Sequence, residues 1–263
     1  MIHVVIPDCQ VKPGVPTDHL RWIGNYIVDH FAGKKIRVIN LGDFWDMPSL
    51  SSYDKGKKSM EGRRYKDDIE AGNRGVDILC EPLAKYNKGR RNKWHPDLHF
   101  LLGNHEARIE KACDFDAQLD GVISYEDFNL KKWGWKVHGF LEVVWLDGLA
   151  YSHYFYEQNS GRPLSGMAES RLKAVGHSFV QGHQQGLWIA QRSTIHGRQR
   201  ALITGSCYLH SEKYRGPQAA DEWRGILVLH QVENGNYDLM EVSLDYLCRR
   251  YEKKTLKQFM KGK

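Results

Sequence analysis

Five short apolar runs, each followed by polar residues of the types that bind metals, constrain the fold of this 263-residue chain more than any other feature. The runs cover residues 4–6, 38–41, 100–102, 149–151 and 178–180. Each run is short and partly β-branched, which is typical of a buried strand rather than a helix. The polar groups that follow them are Asp8-Cys9-Gln10, Gly42-Asp43, Gly103-Asn104-His105-Glu106, His153 and Gly182-His183-Gln184-Gln185. Because the ends of neighbouring strands meet at one edge of a sheet, this pattern predicts a metal site and therefore an enzyme.

The segments between these runs predict an α/β fold. Asp18 begins a helical spacing of apolar residues that ends at Gly33, so the first two strands flank a helix, as in a parallel crossover. From residue 135 onward most segments predict strands, and Asn234-Gly235-Asn236 predicts a hairpin turn. The predicted strands there cover residues 136–138, 141–145, 149–153, 179–181, 188–193, 201–204, 226–231 and 237–242. We therefore expect two stacked sheets with helices outside them.

Residues 48–96 have a different character, because they are polar and basic. Their apolar side chains follow a helical spacing from Tyr65 to Tyr86, and Pro82 predicts a kink or a break. We expect a helical insertion close to Asp43 and Asn104, at the mouth of the site. The alternative is a helix that only packs in the outer layer of the fold.

The net charge of +6 is modest, but the positive charges are clustered. Basic stretches occur at residues 55–66, 85–93 and 249–263, and the last belongs to an expected basic C-terminal tail, residues 246–263. Such stretches favour a polyanionic partner such as nucleic acid, although they are equally typical of solvated loops and tails.

The sequence also favours a reducing compartment and no membrane span. Its five cysteines contain no C-x-x-C pair, which argues against a disulfide framework or a zinc knuckle. No run of about 18 apolar residues occurs, and the first residues read directly as a strand without a basic leader. We expect a cytoplasmic protein.

Taken in order, the five motifs resemble those of the calcineurin-like metallophosphoesterase superfamily. The family pattern is D-x-H, G-D-x-x-D, G-N-H-[DE], a lone His and G-H-x-H. The second motif continues here as Gly42-Asp43-Phe44-Trp45-Asp46, and the resemblance spans residues 8 to 185. The chain is also similar to the metallophosphoesterases of tailed bacteriophages, which would place it in the cytoplasm of a host cell.

The resemblance implies a four-layer αββα sandwich of two mixed sheets flanked by helices, with residues 1–245 as the metallophosphoesterase domain. It also implies two divalent metal ions about 3.5 Å apart. Asp43 would bridge the two ions. The first position would be completed by Asp8, Gln10 and Gln185, and the second by Asn104, His153 and His183.

The chain departs from the family at the first metal position, where two histidines are replaced by Gln10 and Gln185. An amide oxygen is a harder and weaker ligand than an imidazole, so the position becomes rich in oxygen. Oxygen ligands favour Mn²⁺ or Mg²⁺ over zinc or iron, and Mn²⁺ is our first choice for the pair of ions. The second position would accept Mn²⁺, Zn²⁺ or Fe. The alternative is an empty first position and a protein that uses one metal or none.

The resemblance also assigns catalytic roles. A hydroxide activated by the metals would attack phosphorus. His105 would protonate the leaving oxygen, and Asp46 would orient His105, unless Asp46 is only a cap or turn residue. Arg108 would clamp a phosphoryl oxygen of the substrate, or would instead pair with Glu106 or Glu110 on a helix.

Three functions follow from this sequence. Asp46 is followed by Met47-Pro48, which argues against a protein phosphatase. The first choice is therefore a phosphodiesterase acting on DNA, RNA or nucleotides. The second is a broad phosphomonoesterase. The third, from another class, is a nucleic-acid-binding protein whose metal site has degenerated, and Gln10 and Gln185 are the evidence for it.

Overall fold

The computed structural model describes residues 1–195, 197–212 and 222–263, which form two β-sheets and six α-helices. The strands are β1 (Ile2–Ile6), β2 (Ile36–Asn40), β3 (Asp97–Leu101), β4 (Lys136–His138), β5 (Val144–Leu146), β6 (Leu149–Ser152), β7 (Phe179–Gln181), β8 (Leu187–Thr194), β9 (Gly197–Thr204), β10 (Gly225–Glu233) and β11 (Asn236–Ser243). The helices are α1 (Asp18–Phe31), α2 (Tyr65–Asn87), α3 (Arg108–Phe115), α4 (Ala168–Val175), α5 (Leu244–Glu252) and α6 (Leu256–Lys261).

The first sheet has the strand order β11-β10-β1-β2-β3-β4. Strands β1 to β4 are parallel, and β10 and β11 add an antiparallel edge. The crossover from β1 through α1 to β2 is the unit that the sequence predicts. Asn234 and Gly235, both with positive φ, form the two-residue turn between β10 and β11, which confirms the predicted hairpin.

The second sheet has the order β5-β6-β7-β9-β8. Strands β6, β7 and β9 are parallel, while β5 and β8 run antiparallel to their neighbours. Strand β5 begins at Val144 and not at residue 141, because Leu141 has a φ of 65°, which a strand does not accommodate.

Three apolar clusters define the layers of the fold. Val5, Ile39 and Leu101 of the first sheet pack against Tyr151 and Leu202 of the second sheet, which forms the central core. Helices α1, α2, α5 and α6 cover the outer face of the first sheet. Helix α4 covers the outer face of the second sheet. The predicted four-layer αββα sandwich is therefore confirmed.

The basic segment 48–96 contributes mainly to the outer layer. Three short 3₁₀ turns lead into α2, which packs along α1. The helix continues through Pro82 without the break that its sequence allows, and the Pro82 ring lies against Gly24 of α1. A Cβ on Gly24 would lie 2.9 Å from Cγ of Pro82, so the absence of a side chain there makes room for the ring.

Two regions contain helices that the sequence reasoning did not assign. Residues 246–263, expected as a basic tail, lie largely in α5 and α6, and Leu247 and Cys248 of α5 are fully buried. Phe259 of α6 packs edge-on against Trp22 of α1, with ring centroids 5.1 Å apart. The second region is Ala168–Val175, which forms α4.

No helix in the described ranges has both the length and the apolar composition needed to cross a membrane.

Candidate metal centre

The five motifs meet where β1, β2 and β3 of the first sheet end beside β6 and β7 of the second sheet. Motif glycines let their loops approach closely. A Cβ on Gly103 would lie 2.2 Å from Oδ1 of Asp43, and a Cβ on Gly182 would lie 2.6 Å from Oδ1 of Asp8. The glycines in two of the motifs are therefore required for the carboxylates to reach the centre.

Backbone strain is concentrated at the same place. Five non-glycine residues around the centre have φ between 48° and 71°, a conformation that L-residues rarely adopt. They are Gln10, Asp43, Met47, His183 and Gln185. Such conformations cost about 1–3 kcal/mol each and persist where the surrounding structure imposes them. Their clustering at the ends of the motif strands supports this edge of the sandwich as a candidate functional site.

The predicted second metal position is well formed. Ligand atoms of Asp43, His153 and His183 lie within 4.8 Å of one another. Nδ1 of His153 lies 2.7 Å from the carbonyl oxygen of Leu41, to which it donates a hydrogen bond. Nε2 of His153 then faces Oδ1 of Asn104 at 2.9 Å and Oδ2 of Asp43 at 3.4 Å. Three electron-pair donors thus point at one another, which requires either an extra proton or a cation between them.

The electrostatics of this position fit a cation. Burial opposes the charging of His153, yet Asp43 and its hydrogen bond raise the pKa of His153 to about 9. Burial would raise the pKa of Asp43, but His105 and His153 hold it well below its usual range. Burial and the charge of His153 lower the pKa of His183 to about 3. An ionised Asp43 and a neutral His183 are the forms that bind metals, and the raised pKa of His153 reflects a negative potential that a divalent ion would neutralise.

The predicted first metal position is built differently. Oδ1 of Asp8 accepts a hydrogen bond of 3.0 Å from the backbone N–H of His183. Oδ2 of Asp8 is buried and has no hydrogen-bond partner. Burial, and then the charge of Asp43, raise the pKa of Asp8 to about 7. A buried carboxylate oxygen without a partner is costly, and a metal ion at this point would satisfy it.

The two glutamines that the resemblance assigns to this position, Gln10 and Gln185, are buried. The backbone N–H of Gln10 donates to the carbonyl oxygen of Asp43 at 2.8 Å, which joins the first two motifs. Oε1 of Gln185 accepts a hydrogen bond of 2.9 Å from the hydroxyl of Tyr208. As a metal ligand, Gln185 would therefore share its oxygen with Tyr208.

His105 and Asp46 form the pair that the resemblance implies. Nδ1 of His105 lies 2.8 Å from Oδ1 of Asp46, and Nε2 of His105 lies 3.8 Å from Oδ2 of Asp43. Burial disfavours the charged imidazole, but Asp43 and the hydrogen bond to Asp46 raise the pKa of His105 above its ordinary value. Lys12, which sequence reasoning missed, holds the other oxygen of Asp46 at 2.7 Å. Its only sequence signal is its place two residues after Gln10.

Arg108 lies beside this pair. Its Nη1 donates to the backbone carbonyls of Asp46 at 2.6 Å and of Met47 at 3.1 Å, and its Nη2 lies 3.2 Å from Nε2 of His105. The side chain thus joins α3 to the loop that carries Asp46. Its role as a phosphate clamp stays a prediction.

Glu106, for which no separate role was expected, connects the second and third motifs. It is fully buried, and its carboxylate accepts backbone hydrogen bonds from Gly103 at 2.8 Å and from Asp43 and Trp45 at 2.9 Å each. Burial and then the charge of Asp43 raise the pKa of Glu106. This carboxylate therefore fixes the loop of Asp43 relative to the loop of Asn104.

No protein-family model and no curated protein matches the chain in the comparisons with known proteins.

Proposed function

We propose that this protein is a divalent-metal-dependent phosphoesterase, and more specifically a phosphodiesterase that acts on nucleic acid or nucleotides. The observation that carries the proposal is an imidazole, paired with the carboxylate of Asp46, beside a cluster of metal ligands. His105 and His153 both face Oδ2 of Asp43, at 3.8 Å and 3.4 Å. A phosphoester held there would contact the metal position on one side and the imidazole on the other. This arrangement supports the resemblance to the calcineurin-like metallophosphoesterases.

The residues present fit two divalent ions, with Mn²⁺ preferred. Asp43 would be shared, and the other ligands would be Asp8, Gln10 and Gln185 at the first position and Asn104, His153 and His183 at the second. Bound ions would supply positive charge for the phosphoryl oxygens and a water of lowered pKa. Two observations support this fit. Oδ2 of Asp8 is buried without a hydrogen-bond partner, and the oxygens of Asn104 and Asp43 face Nε2 of His153.

His105 would donate the proton that the leaving oxygen needs. The hydrogen bond to Asp46 fixes the orientation of the ring and leaves Nε2 directed towards Asp43. The carboxylates of Asp43 and Asp46 favour the protonated imidazole, which is the form required for donation. Lys12 holds Asp46 in place, and the guanidinium of Arg108 lies beside the same ring nitrogen.

Features at the mouth of the site favour a nucleic-acid or nucleotide substrate. The segment that follows Met47 carries the exposed Lys55, Lys57 and Lys58. Tyr53 of the same segment is 83% exposed. Burial, Asp43 and Tyr53 together raise the pKa of Tyr154, so Tyr53 lies near the centre. An exposed aromatic ring among basic side chains can stack a base while the lysines contact phosphates.

The first experiment compares hydrolysis of bis-p-nitrophenyl phosphate and of p-nitrophenyl phosphate with Mn²⁺, Mg²⁺, Zn²⁺ or a chelator. We expect the diester to be hydrolysed faster, with Mn²⁺ most effective and no turnover in chelator. Preference for the monoester would instead support a phosphomonoesterase.

The role of His105 is tested by changing the leaving group. Nitrophenolate leaves without a proton, whereas a sugar alkoxide needs one. His105→Ala should therefore lower kcat by about 10²-fold or more on a dinucleotide and much less on bis-p-nitrophenyl phosphate. His95→Ala, which changes an exposed histidine, is the control. Equal losses on both substrates would rule out proton donation by His105.

The presence of Gln10 and Gln185 at the first position favours a second candidate, a nucleic-acid-binding protein without activity. Gln185 already accepts a hydrogen bond from Tyr208. DNA binding that is unaffected by chelator, together with no hydrolysis under any metal, would support this candidate over the phosphoesterase.

A further inference from the structure

Arg171, on α4, is a buried cation with an unsatisfied donor. The residue is 6% exposed. Its Nε donates to the carbonyl oxygen of Gly166 at 3.0 Å, but its buried Nη1 has no hydrogen-bond partner. Within the described ranges, no carboxylate forms an ion pair with it.

Such a side chain is costly for the fold. A guanidinium remains charged in proteins, so it does not escape the penalty of burial by losing its proton. A buried charge is ordinarily paired, and an unpaired one reduces stability. A ligand that supplies the missing anion would offset the free-energy cost of this unpaired charge and so explain why an arginine occupies the position.

Arg171 lies near the strand that follows the last of the five motifs. Its Cζ is 6.0 Å from the ring centre of Trp188, on the strand that follows the Gly182-His183-Gln184-Gln185 motif. Helix α4 packs on this strand, β8, and on β9. The charge of Arg171 is close enough to His183 to contribute to lowering the pKa of that imidazole, after burial and the charge of His153. The unpaired guanidinium therefore belongs to the second-sheet half of the fold, near the start of the strand that follows the last motif.

We propose that Arg171 binds a second phosphate group of the substrate, adjacent to the phosphoester that is hydrolysed. This inference rests on the proposed function and narrows its substrate class to a nucleotide chain with a neighbouring phosphate. The planar fork of a guanidinium matches two oxygens of a phosphate, and burial strengthens that contact. A small diester without a second phosphate would leave Arg171 unpaired.

The test uses dithymidine phosphodiesters that differ by one phosphate. The wild-type protein should hydrolyse pTpT or TpTp with a kcat/KM about tenfold or more above that for TpT, the gain expected of a charge-assisted hydrogen bond. In Arg171→Met this preference should disappear while turnover of TpT is retained, and Arg171→Lys should keep part of it. Arg198→Met, which removes an exposed arginine outside the three basic stretches, should leave the preference unchanged.

A binding measurement in chelator separates this proposal from the phosphoesterase itself. Inorganic phosphate should raise the melting temperature of the wild-type protein but not that of Arg171→Met. The variant alone should melt no lower than the wild type, because an apolar side chain replaces an unpaired buried charge. If no diester is hydrolysed but this phosphate effect depends on Arg171, the proposed activity is wrong and the anion subsite remains. If diesters are hydrolysed with the same preference in Arg171→Met, the subsite is wrong and the activity remains.

Discussion

The two candidate metal positions share Asp43 but are built in opposite ways. At the second position, a hydrogen bond from Nδ1 to the carbonyl oxygen of Leu41 fixes the His153 ring and directs its Nε2 at Asn104 and Asp43. At the first position, Asp8 offers a buried oxygen without a partner, while Gln185 uses its oxygen to accept a hydrogen bond from Tyr208.

From this difference we infer that the proposed metal centre has one tight and one weak position. An imidazole held by a second hydrogen bond is oriented before the metal arrives, and such outer contacts are worth about 10- to 100-fold in affinity. Neutral amides are weaker ligands, and a shared oxygen is weaker still. The protein would then keep one resident ion and acquire the other from solution.

The largest expected effect comes from the residue that both positions share. Asp43→Asn should abolish tight Mn²⁺ binding and lower phosphodiester turnover by about 10³-fold or more, because a metal contributes several kcal/mol to the stabilisation of charge. Turnover and calorimetric Mn²⁺ titration measure the two effects. Asp114→Asn, which changes an exposed aspartate, should change neither. Full Mn²⁺ binding by Asp43→Asn would show that the two positions do not share this ligand.

A matched pair of substitutions compares the two positions directly. His153→Ala should weaken the tight Mn²⁺ position by about 100-fold or more. Gln185→Ala should weaken only the other position, and by about tenfold or less, because the amide contributes little. Calorimetric titration resolves the two affinities. Equal losses from the two substitutions would contradict the difference between the positions.

Introducing the two histidines of the calcineurin-like pattern should remove most of that difference. Gln10→His with Gln185→His should raise the Zn²⁺ affinity of the first position by at least about tenfold and shift the preferred metal from Mn²⁺ towards Zn²⁺ or Fe. Both positions have positive φ, which histidine accepts more readily than most residues and which His183 already adopts. An unchanged metal preference would mean that these two side chains do not reach the ion.

The smallest effect should come from Glu106, and it should affect both positions alike. Glu106→Gln replaces one acceptor oxygen with an N–H₂ group that faces backbone donors. We expect a loss of about 1–3 kcal/mol in the free energy of unfolding and a similar weakening, about tenfold, of Mn²⁺ binding at each position. Denaturant unfolding and titration measure these changes, with Glu70→Gln on the exposed face of α2 as the control. A loss confined to one position would show that Glu106 supports only one loop.

The sequence predicts the ends of the buried strands well, because each strand is a short β-branched run that stops at a polar motif. It therefore predicts which ligands share an edge of the sandwich, and His105 and Asp46 meet as expected. Contacts between distant loops are not visible in such patterns. The hydrogen bonds of Glu106 to the backbone and the ion pair of Lys12 with Asp46 depend on how the loops pack.

Helix α4 shows why some helices and buried residues were not predicted from the sequence. It is eight residues long and mostly polar, and only Ala168 and Leu172 provide buried apolar contacts, so its apolar periodicity is weak. An arginine in such a segment reads as a surface residue, and the burial of Arg171 appears only in the folded chain. The helices within residues 246–263 give a weak signal for a related reason, since the basic residues there obscure the apolar faces of α5 and α6.

The most direct test of the central account is a calorimetric titration of the metal-free protein with Mn²⁺, with hydrolysis of bis-p-nitrophenyl phosphate followed at each addition. Two classes of site, one tight and one weak, with turnover rising as the weak site fills, would agree with the account. A single class of site, or two filled sites without hydrolysis of the diester, would contradict it.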